Sequence, residues 1–129
     1  MTKTVPVLLP IPTDRPYTYG VPEGMALRAG DIVRVPLGPR QVFGVVWDDS
    51  CDDIEATKLK HVLEKCDCPP LQPTMLKFVE WVANYTISAP GMVMRMVLRV
   101  PAALSAPKLQ PGLRFGGREP ERMTGARRR

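Results

Sequence analysis

The sequence predicts an α+β domain: a small, curved, barrel-like β-sheet with two short helices packed on it, followed by a flexible linker. Three observations carry this. Fifteen prolines in 129 residues, about twice the usual ~5%, mark short extended segments joined by stiff turns and exclude a helical bundle. Four apolar segments of strand length follow one another at turn-marked spacing within the first fifty residues. From Pro73 onward the apolar period changes from two to that of a helix.

Taken in order, Thr4 to Leu9 reads as a first strand, whose prolines suit an edge position or a strand end. Tyr17 to Val21 is a second, closed by the Pro22-Glu23-Gly24 turn. In it Tyr17 and Tyr19, two apart, share a face that Thr18 does not. A Gly30-Asp31 turn feeds the run Ile32 to Val35, with Arg34 pointing outward. The stiff loop Pro36 to Arg40 then leads into Gln41 to Trp47. The acidic stretch Asp48 to Glu55 reads as a solvated loop, since its spacing matches no calcium-binding pattern. Lys58 to Lys65 is expected as a strand, with Leu59, His61 and Leu63 on one face.

The first helix begins near Thr74, a plausible N-cap. Met75, Phe78, Val79 and Val82 form its apolar face, with Trp81 and Tyr85 as a neighbouring stripe. After a turn at Ser88-Ala89, Pro90 suits the first position of a second helix, whose methionines read as core material. The expected organisation is a domain over 1–104, a Pro- and Gly-rich linker over 105–121, and the start of another domain at 122–129.

The chain carries a formal charge of +5, but its distribution argues against a basic folded surface. From Arg95 to Arg129 nine Lys and Arg stand against two Glu, a net of +7, which leaves −2 for residues 1–94. A basic tail of this kind is more often solvated than binding. No run of eighteen apolar residues exists, and prolines interrupt the N-terminus before it could act as a signal helix, so the chain reads as cytoplasmic with no membrane partner. Cys51, Cys66 and Cys68 have neither disulfide-framework nor zinc spacing. No Walker phosphate loop appears, and His61 has no nucleophile partner in sequence. The reading is therefore neither an enzyme nor a cofactor protein.

What remains is a binding constellation: Tyr17 with Tyr19, the Gly38 loop between prolines, and the cations Arg15, Arg34, Arg40, Lys58 and Lys60. Aromatic faces stack on nucleic-acid bases irrespective of sequence, yet two tyrosines on a strand are also ordinary sheet packing. A nucleic-acid site, a peptide-docking site and an inert structural domain all stay open at this level.

The stretches VPVLLPIPTDRPYTYGVPEG, GDIVRVPLGPRQVFGVV, LKHVLEKCD and WVANYTISAPGMVMRMVLRVP together resemble, in order, the N-terminal domain of the PriA (primosomal protein N′) family of replication-restart DNA helicases. They cover most of residues 4–101, and PERMTGARRR looks like the entry to that family's winged-helix domain. The resemblance implies a fragment that binds the 3′-terminal nucleotide of a nascent leading strand at a stalled fork. The full-length proteins it resembles are ATP-dependent 3′-to-5′ helicases, partnered by primosome and single-strand-binding proteins. The family's pocket pattern falls on Tyr17 for the base, Thr18, Gly38 for close backbone approach, and Lys60 as a hydrogen-bond donor. Thr18 departs from it, because the family places an acid there that accepts a bond from the terminal hydroxyl and repels a terminal phosphate.

Overall fold

The computed structural model describes residues 3–49, 57–114 and 116–117. Four strands appear where the apolar runs and the turns between them place them: β1 (Thr4–Leu8), β2 (Tyr17–Gly20), β3 (Ile32–Leu37) and β4 (Arg40–Val46). A two-residue strand, β5 (Glu64–Lys65), completes an antiparallel sheet of order β2-β1-β4-β3-β5. Helices α1 (Pro73–Thr86) and α2 (Pro90–Val97) follow, then a 3-10 turn at Pro101–Leu104.

The sheet curves until its two ends meet through one segment of chain. The Gly20 N–H donates to the Lys60 carbonyl at 2.8 Å, and the Val62 N–H donates back to the Gly20 carbonyl at 2.9 Å. One residue on, the Leu63 N–H donates to the Arg34 carbonyl of β3 at 2.9 Å. Residues 60–65 thus bridge β2 to β3, satisfying backbone groups that would otherwise form open edges.

Two apolar clusters result, one on each face of the sheet. Inside the curve Val5, Val7, Leu9, Tyr19, Val33, Val35 and Val62 are buried together. On the outer face Leu8, Ile32, Val45 and Trp47 pack against Leu76, Val79, Ala83, Val93 and Met94 of the helices. Successive strand residues serve opposite clusters, as the pleat requires.

Several local expectations are corrected. Pro6 lies in an interior strand, β1, flanked by β2 and β4. It is tolerated because the β1–β4 pairs begin only at Val7↔Val46, while the Pro6 carbonyl still accepts from the Trp47 N–H at 2.8 Å. Over 58–65 only Glu64–Lys65 is strand, and His61 makes an isolated bridge to Gly20. Val62 is the buried residue there, whereas His61 and Leu63 are exposed. Bridging two strands rather than lying along one breaks the expected alternation.

The first helix is also rotated relative to its predicted face. Gln72, not Thr74, occupies the N-cap, and the buried residues are Leu76, Val79 and Ala83. Met75 and Phe78 face outward. Phe78, Trp81 and Tyr85 form an exposed stacked ladder, with ring centroids 6.1 and 5.1 Å apart. Ile87 ends the helix in the left-handed region at φ 52. In α2, Pro90 takes the first turn as expected. Met94 is fully buried while Met96 is exposed.

Arg34 pairs with Glu64 across β3 and β5. Asp31 is a buried charge that sequence alone did not flag. Its carboxylate accepts from the Arg28 N–H and from Lys65 Nζ, each at 2.9 Å, so burial does not leave it unpaired. Of the acidic stretch, Asp48 and Asp49 are exposed and residues 50–56 lie outside the described residues. The expected second-domain start at 122–129 also lies outside them.

Candidate nucleic-acid interface

A cavity of about 330 Å³ opens where β2 begins and β3 ends, lined among others by Arg15, Tyr17, Thr18, Leu37, Lys58 and Lys60. That volume falls at the low end of small-ligand sites. Each wall comes from a different part of the chain. The β1–β2 connection supplies Arg15, β2 the two tyrosines, the end of β3 Pro36 and Leu37, and the bridging segment its lysines.

Tyr17 and Tyr19 share a face but differ in role. Tyr17 is 42% exposed, so its ring is open to a ligand, whereas Tyr19 is only 3% exposed and sits in the inner cluster. The Tyr19 hydroxyl donates to the Pro36 carbonyl at 3.0 Å. Burial, and next the proximity of Tyr17, raise the Tyr19 pKa above its ordinary value of 10.0. The ring therefore tethers the β3 end of the cavity to β2.

Lys60 reaches the cavity because its own carbonyl is held by β2, through the Gly20 N–H. A Cβ on Gly20 would stand 2.6 Å from His61 Cδ2 and 2.8 Å from His61 Nε2. Glycine at this position leaves room for the His61 side chain against β2.

The four residues drawn from sequence are only partly gathered. Tyr17, Thr18 and Lys60 line the cavity, and Gly38 does not. Gly38 occupies the tip of the β3–β4 turn at φ +59, next to Leu37, and nothing lies within 4 Å of where its Cβ would be. Thr18 is only 8% exposed and is already engaged within the protein. Of the scattered cations, Arg15, Lys58 and Lys60 are cavity walls, while Arg34 is occupied by Glu64 and Arg40 starts β4. Pro36 and Leu37 had no signal of their own beyond flanking Gly38.

The electrostatics of the cavity differ from those of the folded chain as a whole. Among the described residues its walls include three cations and no carboxylate. An aromatic face beside donors of positive charge accommodates a flat ring that carries an anion. A larger groove of about 900 Å³ lies between sheet and helices, lined among others by Phe43, Val82, Met92 and Met96 with Arg95 and Arg99.

Fold and cavity together define a compact β-rich binding module with an aromatic and cationic cleft. Residues 6–99 match the family described as the 3′DNA-binding domain (3′BD) of PriA, and the chain belongs to that family. It is 33% identical over 98 residues to the replication restart protein PriA of Rickettsia felis, covering 75% of this chain and 15% of that protein. The PriA of Haemophilus influenzae is 34% identical over 100 residues, 76% of this chain and 14% of the relative. That of Synechocystis is 31% identical over 87 residues, 64% and 10% respectively. The chain thus spans a small fraction of the length of these relatives.

Proposed function

We propose that this domain binds the 3′-terminal nucleotide of a DNA strand, independently of sequence, as the end-reading module of a replication-restart protein. The supporting observation is that Tyr17 and Thr18 line one cavity of nucleotide size together with Lys60, distant from them in sequence, beside the Gly38 turn. In this reading the Tyr17 ring stacks on the terminal base, which any base permits. Backbone at Leu37 and Gly38 approaches the base edge, and Lys60 donates hydrogen bonds to base or sugar acceptors. Binding to one nucleotide is modest, and linkage to other nucleic-acid-binding domains would raise it by effective concentration.

Thr18 carries no charge and its side chain is largely buried. Binding therefore survives, while discrimination against a 3′-phosphate weakens. Titrating 5′-labelled oligonucleotides that end in 3′-OH, in 3′-phosphate or in a bulky 3′ block tests both parts. The expected order is near-equal binding of the first two and clear loss with the block. Equal binding of all three would sink the end-reading function, and a strong preference for the hydroxyl would sink only the role given to Thr18.

A second reading draws on the exposed Phe78, Trp81 and Tyr85 ladder. It has α1 dock another protein surface. Such an apolar contact changes little with salt, whereas binding through phosphates weakens steeply as salt rises.

A further inference from the structure

We propose that Arg15 is a ligand-binding residue of the same cleft, holding the phosphate that joins the terminal nucleotide to the one before it. This rests on the end-binding reading and names the part of the strand that the site takes: a base together with its 5′-side phosphate. Arg15 is a wall of the cavity, two residues before the open ring of Tyr17.

The backbone at Arg15 is held in place by its neighbours. Thr13 Oγ1 accepts from the Arg15 N–H at 3.3 Å and donates to the Arg15 carbonyl at 2.8 Å. Thr13 is itself pinned, its N–H donating to the Ile11 carbonyl at 2.7 Å and its carbonyl accepting from the Gly91 N–H of α2 at 3.2 Å. The connection is thus tied to the helix layer, which fixes where the guanidinium starts from. The guanidinium makes no ion pair among the described residues, in contrast to Arg34 on Glu64. Asp14, its neighbour in sequence, is not a wall of the cavity. A planar, fork-shaped cation lining a cavity whose walls, among the described residues, include no carboxylate suits a phosphate diester better than a base edge. A phosphate recurs at every step of the strand, so the contact adds affinity without adding sequence preference.

The test uses a 5′-labelled oligothymidine with a free 3′ end and a neutral methylphosphonate placed at either the last or an interior linkage. Anisotropy titrations compare the wild-type chain with Arg15→Gln and Arg15→Lys. Neutralising the last linkage should weaken wild-type binding about ten-fold and an interior linkage much less. Arg15→Gln should bind native and last-linkage-neutral strands alike, with the slope of log K against log salt shallower by about 0.7. Arg15→Lys should recover part of the loss, because it keeps the charge and loses the fork. Equal losses at the last and interior linkages overturn the assignment, as does an Arg15→Gln variant still sensitive to the last linkage. If a free end is preferred over a blocked one but the last linkage is silent, only the role of Arg15 falls. If free and blocked ends bind alike, the end-reading function falls with it.

Discussion

The Tyr19 hydroxyl donates to the Pro36 carbonyl at 3.0 Å, across seventeen residues of chain, and so fastens the β3–β4 turn to the strand that carries Tyr17. The bond needs the neutral phenol. Tyr19→Phe should lower stability by about 1 kcal/mol, a fall of roughly 4–8 °C in Tm for a domain of this size, and should weaken binding of 3′-ended DNA slightly. The pH dependence follows from the raised Tyr19 pKa. The folded value lies above that of the unfolded chain, so this contribution is complete below pH ~10 and is lost as pH rises through the folded value. Thermal melts from pH 7 to 11 should show an alkaline decline in the wild type that Tyr19→Phe reduces; identical declines would mean that this bond does not stabilise the fold.

Tyr17 is the open ring of the pair, and its removal should affect binding rather than folding. Tyr17→Ala is expected to weaken 3′-ended DNA by one stacking contribution, about 1–3 kcal/mol, with circular dichroism and Tm near those of the wild type. Loss of the fold would show instead that Tyr17 is a packing residue.

The bare backbone of Gly20 lies against the side chains of His61 and Leu59 in the bridging segment. Gly20→Val would drive side-chain atoms into His61 and Leu59, and should cost about 1–3 kcal/mol as an overpacked contact. It should also weaken DNA binding, since the same contact holds Lys60 in the cavity wall. Gly20→Val combined with His61→Ala should restore much of the stability, because the nearest obstacle is the exposed imidazole. A Gly20→Val variant with unchanged Tm and affinity would show that residues 60–62 are not held by this approach.

Ile87 is a β-branched residue in the left-handed region and is 95% exposed, so it contributes strain at the end of α1 and little packing. Left-handed backbone costs an L-residue about 1–2 kcal/mol. Ile87→Asn, which tolerates that conformation, should raise Tm by a few degrees in a thermal melt. A lower Tm would mean that the isoleucine makes a contact outweighing its strain.

The two halves of the domain were legible to different degrees, for a physical reason. Both faces of the sheet are covered, so its strands appear in the sequence as short apolar runs bounded by proline and glycine turns, and β2, β3 and β4 fall within a residue or two of expectation. The first helix was less legible because apolar residues lie on more than one of its faces. Met75, Phe78, Trp81 and Tyr85 compete with Leu76, Val79 and Ala83, and only the position of the sheet decides which stripe is covered. Residues 58–65 were misread as one strand because they bridge two, and bridging obeys no repeat.

The sequence by itself determined the α+β class, the order and near-limits of the strands and helices, and the resemblance that singled out Tyr17, Thr18, Gly38 and Lys60. Those properties depend on local patterning, which each segment carries within itself. The tertiary structure decided that Tyr17 is open while Tyr19 is buried on the Pro36 carbonyl, that Lys60 joins the cavity through Gly20 while Gly38 stands beside it, and that Arg15 belongs to the same walls. These outcomes depend on curvature: the sheet must bend until β2 meets residues 60–62. No window of neighbouring residues encodes a contact across forty positions of chain.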